Sequence, residues 1–215
     1  YKRQTSCSDE SIVHPDSSPK ERETQICMND YKYVDLILGK QCQTKMGRGG
    51  IRPLEFKTFS KEMQNAITNY CQAGGNFFVS GAYVASDLWD NRLVKANEED
   101  KKFAMEVLKY KWRVGQAARN GKVKSVASPF PEITGSYTYY QDLNPESYVV
   151  ESPDALEPAA QGAFTILRYS ENNLSAGIAY KGNYKTCVLG FPFEAIRTVT
   201  ERELLMKAIL TFFEH

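Results

Sequence analysis

Two junctions, each an apolar run that ends in small residues, carry the side chains best placed for chemistry. In the first, Ser80, Gly81, Ala82 and Tyr83 follow a buried run and precede a helical pattern. A strand that turns sharply into a helix presents one side chain beside backbone N–H donors, as in a nucleophile elbow. A serine there is a weak nucleophile unless a base takes its proton. The junction therefore predicts catalysis only if the chain supplies that base.

Bases suited to this task are scarce in the sequence. The two histidines, His14 and His215, lie in a polar amino-terminal segment and at the last position. Neither Ser80 nor Ser86 has an evident activating partner, so we predict no catalytic residue. The five cysteines contain no C-x-x-C pair, and two histidines offer little else for a metal. We accordingly expect no metal site and no cofactor.

The second junction is the segment 190–196, where Glu194 follows Gly-Phe-Pro-Phe. Its carboxylate could bind a hydroxyl or a cation, or it could pair with Arg197. Asp87, close to Trp89, could accept hydrogen bonds from a sugar stacked on the indole. An aspartate near a helix amino terminus is also favoured by the helix dipole alone. Both roles stay open for each acidic residue.

A third group of polar side chains surrounds several tyrosines in the segment 137–151. This composition is typical of sugar-binding surfaces, and paired carboxylates also serve glycosidases. Alternating tyrosines on a strand equally indicate a half-buried sheet face. The spacing fixes no pair of carboxylates at a defined separation, so both interpretations remain.

The elements that position these residues follow an α/β pattern. Short apolar runs at 33–38 and 77–80 predict strands buried on both faces, and Ser60 caps a helix between them that stops at Gly74. This order predicts an α/β fold with a three-layer, doubly wound, mostly parallel sheet, both runs being interior strands. An antiparallel hairpin addition is expected from 176–191.

The carboxyl-terminal helix has the clearest signals in the chain. Thr200 and Glu203 form a predicted capping box, and Val199 with Leu204 forms a predicted hydrophobic staple. Residues 1–30 lack apolar periodicity and are interpreted as an irregular arm, whereas 31–215 is one domain. Cys7 and Cys27 could form a disulfide in an oxidising compartment, which the sequence leaves undecided.

Bulk properties exclude several classes of partner. The chain has 215 residues, with 27 Lys and Arg against 26 Asp and Glu. This balance provides no field that would attract nucleic acid, and we expect no nucleic-acid partner. No apolar run approaches the length of about 20 residues that spans a bilayer, so no membrane insertion is expected.

The two junctions resemble the class I glutamine amidotransferase-like fold, which is of the flavodoxin-like kind. More narrowly, the chain resembles a domain of large secreted bacterial proteins that carry the name xanthan lyase. The resemblance covers roughly 33–215 and rests on the segments 33–41, 74–88, 109–114 and 190–194. It implies a location that is secreted, periplasmic or at the cell surface, and glycan or further domains of a larger parent protein as partners.

The family pattern is incomplete in this chain. Active members place a cysteine in the turn after the strand, where Ala82 and Tyr83 stand here, and a histidine and glutamate after a late strand, where only Glu194 matches. The resemblance thus implies a pseudoenzyme without glutamine hydrolysis. The expected ligand site combines Gly81, Ala82, Tyr83, Asp87 and Glu194.

Three functions follow from these observations. The first is a non-catalytic, ligand-binding or accessory module of a secreted carbohydrate-handling protein. The second is a polysaccharide lyase or hydrolase that acts on extracellular glycan or peptidoglycan, and the third is a structural interaction domain. A binding module would retain a glycan without changing it, and an enzyme would release product. A structural domain would do neither.

Overall fold

The computed structural model describes residues 27–45, 54–55, 57–89 and 97–215 of the chain. Residues 1–26, which make up most of the predicted arm, lie outside these ranges. The described strands are β1 Tyr33–Gly39, β2 Thr44–Lys45, β3 Leu54–Glu55, β4 Asn76–Gly81, β5 Tyr110–Val114, β6 Lys122–Ser125, β7 Ser136–Thr138, β8 Ala155–Pro158, β9 Ala163–Tyr169, β10 Ser175–Lys181 and β11 Lys185–Leu189. The α-helices are α1 Lys61–Gln72, α2 Ser86–Trp89, α3 Glu98–Phe103 and α4 Val199–Glu214.

Seven of the strands form one mixed sheet in the order β1-β4-β11-β10-β9-β6-β7. The strands β1, β4 and β11 run parallel to one another. Every later neighbour pair, from β11-β10 to β6-β7, is antiparallel. Two further pairs, β2-β3 and β5-β8, are separate antiparallel sheets.

The predicted doubly wound, mostly parallel, flavodoxin-like sheet is therefore wrong. Parallel neighbours need a long crossover, usually a helix, whereas antiparallel neighbours can be joined by a short turn. In the fully described stretch from β5 to β11, no α-helix separates successive strands. The second half of the chain thus lacks the crossovers that a parallel sheet requires, and it folds back on itself in hairpins.

The strand at 33–38 also differs from its prediction. It forms the edge strand β1, which pairs with β4 on one side, and Ile37 is 54% exposed. The run at 77–80 lies in β4, between β1 and β11. The hairpin predicted from 176–191 is confirmed, because β10 pairs with β11 in antiparallel register from Gly177↔Leu189 to Lys181↔Lys185.

Apolar layers cover both faces of β4 and β11, the two inner strands of the parallel part of the sheet. Phe77, Val79 and Val188 face a cluster that contains Ile67 and Cys71 of α1. The opposite side of the same strands faces α4 through buried residues that include Phe78, Cys187, Leu189, Leu205, Ile209 and Phe212. Successive strand residues point to opposite faces, so one strand contributes to both layers.

The two long helices begin at side-chain caps. Ser60 Oγ accepts a hydrogen bond from Met63 N at 3.3 Å, as predicted. The α4 cap lies two residues before the predicted one, because Thr198 and Glu201 form the capping box. The predicted staple of Val199 and Leu204 is wrong, since these side chains are 59% and 57% exposed. Among the described helices, none combines the length and apolarity needed to cross a bilayer.

Candidate functional site

The carboxyl ends of β1 and β4 meet at two glycines. Gly39 ends β1 with φ +57°, a left-handed conformation that glycine adopts without penalty. Its carbonyl accepts a hydrogen bond from Ala82 N at 2.9 Å, which joins the two strand ends. A Cβ on Gly39 would lie 3.2 Å from Tyr148 Oη and 3.3 Å from Glu194 Oε1. The missing side chain lets both polar groups approach the backbone here.

Glu194 and Tyr148 form the centre of this site. Tyr148 Oη donates a hydrogen bond to Glu194 Oε1 at 2.5 Å. Burial, followed by the hydrogen bond to Glu194, raises the pKa of Tyr148 well above its usual range, so the phenol remains a donor. Glu194 Oε2 is buried and has no hydrogen-bond partner within the described part of the chain. A buried acceptor left in this state typically costs about 1–3 kcal/mol.

Lys40 and Glu151 border the Glu194 centre. Lys40 Nζ lies 2.5 Å from Glu151 Oε2 and 5.7 Å from the centroid of the Tyr148 ring. The ammonium is therefore held by a carboxylate and by an aromatic face at once. We call Gly39, Lys40, Tyr148, Glu151 and Glu194 the carboxyl-edge cluster.

Asp35 adds a third carboxyl group near this cluster, beside those of Glu151 and Glu194. It lies on the edge strand β1, where the residue as a whole is exposed to solvent while neighbouring groups partly desolvate its carboxyl group. Burial, followed by repulsion from Glu194, raises the pKa of Asp35 from 3.8 to about 6. The Asp35 carboxyl group is thus a further acceptor near Glu194 for the hydroxyl group of a ligand.

The turn after β4 is held by a residue that the sequence analysis did not single out. Asp154 is fully buried, and its Oδ2 accepts hydrogen bonds of 2.8 Å from both Ala85 N and Ser86 N. Burial raises the pKa of Asp154 to about 7, although these N–H donors oppose the shift. The signal available in sequence was an acidic residue in the apolar stretch 153–156.

The predicted ligand-binding residues fall into two groups. Gly81 and Glu194 lie at the carboxyl-edge cluster, and half-buried Tyr83 adjoins it through electrostatic contact with Lys40 and Glu151. Ala82 is fully buried and presents no side-chain surface to a ligand. Asp87 is buried elsewhere, and its carboxylate has a structural task described next.

Asp87 fastens the two ends of the segment between β1 and α1. Its Oδ1 accepts a hydrogen bond from Gln43 N at 2.8 Å, and its Oδ2 accepts one from Thr58 N at 2.9 Å. Both carboxylate oxygens are thus engaged with backbone donors. Sequence reasoning missed Gly39 and Lys40 of the cluster. It also missed the hydrogen bond between Tyr148 and Glu194, because these two residues are 46 positions apart in the chain.

The elbow offers no activated nucleophile in the described residues. Ser80 Oγ accepts a hydrogen bond from Phe193 N at 3.2 Å and is fully buried. The only histidine in the described ranges is His215, at the end of the chain. No group of three or more His, Cys, Asp or Glu side chains with metal-binding geometry occurs in those ranges. The described residues of this arrangement can bind a hydrogen-bond donor, but they include no histidine placed to act as a base beside Ser80.

Comparison with known proteins identifies the fold and no family. No protein-family model matches the sequence, and no curated protein matches it. Among solved structures, a cold-adapted β-galactosidase from Rahnella sp. R3 is similar with a TM-score of 0.53 and 12% identity over 88% of this chain. The N-terminal domain of mmIFT52 gives a TM-score of 0.39 and 15% identity over 73% of this chain and 72% of that one, which is too low for a structural argument.

The chain spans 24% of the β-galactosidase, so the match concerns a domain-sized part of that enzyme. At 12% identity the similarity shows a shared fold alone. Neither comparison supports a glutamine amidotransferase or a xanthan lyase. The sheet of this chain is mixed and mostly antiparallel, with few helices, and it is not flavodoxin-like.

Proposed function

We propose that the chain is a non-catalytic module that binds a hydroxylated ligand, a glycan, at the carboxyl-edge cluster. The observation that carries the proposal is the incomplete hydrogen bonding of Glu194. Oε1 already accepts a hydrogen bond from the phenol hydroxyl of Tyr148, whereas Oε2 has no hydrogen-bond donor among the described residues. A ligand hydroxyl supplies the missing donor when the Tyr148 side chain shifts to admit it.

The surroundings of Glu194 suit a sugar better than a small inorganic ion. Tyr148 and Tyr83 are half-buried rings, and carbohydrate recognition combines aromatic faces with carboxylate acceptors. Lys40 adds a donor whose position is set by Glu151. Acceptor, donor and aromatic face are thus available within one cluster.

Binding without turnover is expected because, within the described ranges, no histidine lies beside a nucleophile to act as a general base. Ser80 is used by the backbone of Phe193, and Ala82 occupies the turn of the elbow. Acyl transfer without these groups loses most of the acceleration that a catalytic triad provides. The module therefore retains its ligand unchanged.

A location outside the cytoplasm accompanies this proposal. Cys27 is disulfide-bonded. Stable disulfides are formed in oxidising compartments such as the periplasm and the cell exterior. Cys7, the partner considered from the sequence, lies outside the described residues. Association with further domains of a larger carbohydrate-handling protein is part of the same proposal.

The test is calorimetric titration with neutral gluco-, galacto- and manno-oligosaccharides, followed by size analysis of the recovered sugar. We expect at least one class to bind and to be recovered intact. Glu194→Gln should weaken binding about tenfold, as for loss of a hydrogen bond to a charged group. The matched control is Glu203→Gln, which removes one exposed carboxylate from α4. Equal affinity in both variants, or shortened sugar chains, would contradict the proposal.

A further inference from the structure

The β9-β6-β7 end of the main sheet has one buried face and one exposed face. Val123, Tyr137 and Tyr169 point to the buried side and are at most 3% exposed. Of the residues that alternate with them, Lys122, Lys124 and Ser136 are exposed, and Thr138 and Arg168 are half-buried. Antiparallel sheets commonly divide in this way, with one face on the core and one in solvent.

Every charged side chain that strands β6, β7 and β9 place on this face is a cation. Lys124 lies directly opposite Arg168 across the β6-β9 pair, and Lys122 is two residues away on the same face. None of the three forms an ion pair with any described residue. Arg168 donates one hydrogen bond to the backbone carbonyl of Asn173. Like charges directly opposite each other destabilise a sheet. An arrangement that costs stability in the isolated chain suggests an anionic partner.

Ser136 and Thr138 of β7 complete this surface. They pair with Lys124 and Lys122 in the β6-β7 register and so lie on the same face. Their hydroxyl groups can both donate and accept hydrogen bonds. We call Lys122, Lys124, Ser136, Thr138 and Arg168 the basic face.

We propose that the basic face binds an extended anionic polysaccharide, at a site separate from the carboxyl-edge cluster. Strand geometry sets the backbone positions of Lys122 and Lys124 about 7 Å apart along β6, and the Cβ atoms of Lys124 and Arg168 about 5 Å apart across to β9. The flexible side chains that start from these positions can reach successive acidic groups of a polymer. The hydroxyls of β7 match the hydroxyls of sugar rings, which also donate and accept. The face has no aromatic side chain on which a nucleic-acid base could stack.

The experiment measures binding of the whole chain to heparin and to polygalacturonate, with neutral dextran as the uncharged probe. We expect both anionic polymers to bind, dextran to bind at least tenfold more weakly, and affinity to fall as salt increases. The double variant Lys124→Gln, Arg168→Gln should lose about fivefold in affinity for each cation removed. The control Lys111→Gln, Lys207→Gln removes the same charge from exposed positions outside the basic face.

Circular dichroism and thermal unfolding establish that both double variants are folded. Equal loss of affinity in the two double variants would overturn the assignment of the site to the basic face. If neither heparin nor polygalacturonate bound, or if only one of them did, the proposal itself would be overturned. Tighter binding of poly-glutamate or of a single-stranded oligonucleotide than of either polysaccharide would overturn the choice of ligand. Because these probes are anionic and the variants lie outside the carboxyl-edge cluster, failure here leaves the titration of neutral sugars unaffected.

Discussion

At the scale of single residues, Gly39 shows how a missing side chain builds the site. Gly39→Ala places a methyl group in a left-handed conformation and against Tyr148 and Glu194. The conformation alone costs roughly 1–2 kcal/mol. Gly135→Ala is the matched control, because Gly135 also has positive φ but nothing within 4 Å of its Cβ position. We expect Gly39→Ala to lower the free energy of unfolding by about 1 kcal/mol more than the control, as the Tyr148 hydrogen bond is displaced. Urea denaturation measures the free energy of unfolding of both variants. Equal losses would show that the contacts of Tyr148 and Glu194 with Gly39 do not contribute to stability.

The buried carboxyl group of Asp154 makes stability depend on pH. Its pKa is about 7 in the folded chain and 3.8 for an ordinary aspartate. Between these values the unfolded chain has released the proton while the folded chain keeps it. The contribution of Asp154 is therefore complete below the lower pKa and is lost as pH rises through the higher one. Asp35, with a pKa of about 6, acts in the same direction.

Asp154→Asn should flatten this dependence. Asparagine keeps an acceptor for the N–H groups of Ala85 and Ser86, but it does not titrate. We expect the free energy of unfolding of the variant to fall less than that of the unchanged protein between about pH 4 and pH 7. Denaturant titrations across that range provide the comparison. Parallel curves for the two proteins would mean that Asp154 does not titrate in this window.

At the scale of elements, α4 illustrates a choice between two nearly identical caps. Thr198 Oγ1 accepts a hydrogen bond from Glu201 N at 3.1 Å. Thr198→Ala should reduce stability by about 1 kcal/mol, the usual cost of losing a threonine cap. Thr200→Ala, at the second residue of the helix, should change stability by less than about 0.5 kcal/mol. Thermal unfolding of the two variants decides between them, and the reverse order would restore the cap that the sequence predicted.

The β6-β9 pair allows a test of whether the like charges of the basic face lower the stability of the fold. Lys124→Glu replaces a like-charge contact with Arg168 by an opposite-charge contact, and we expect a gain of about 0.2–1 kcal/mol. Lys122→Glu is the control, since its β7 neighbour Thr138 is uncharged. The gain should disappear at high salt, where surface charges are screened. A Lys124→Glu protein no more stable than the control at low salt would remove the argument that the basic face costs stability.

At the scale of the whole molecule, Cys27 forms a disulfide bond, which is a covalent constraint on the fold. Disulfides typically stabilise a fold by about 2–4 kcal/mol. Cys27→Ser should lower the free energy of unfolding by an amount in this range. The same loss should appear when the unchanged protein is treated with a reductant, and reductant should then have no further effect on the variant. Identical unfolding midpoints with and without reductant would exclude a structural role for this bond.

The amino-acid sequence by itself determined the local elements of the domain. The Ser60 cap, the helix that follows it and the hairpin of β10 and β11 depend on residues within a few positions of one another. Capping, periodicity and turn preference act over that distance, so they can be derived from the chain alone. Glu194 was also identified from the junction that it occupies, although its binding role stays a prediction.

Only the tertiary structure decided the direction of the strands and the composition of the site. Apolar runs of strand length fit parallel and antiparallel neighbours equally well, so local patterning did not exclude the mostly parallel sheet. Tyr148 meets Glu194 across 46 positions, and Glu201 was selected as the capping partner while also accepting Thr138 N of β7. These contacts are non-local, and their energies depend on which surfaces the whole chain buries together. The sequence pattern contains the groups, but packing alone determines which of them meet.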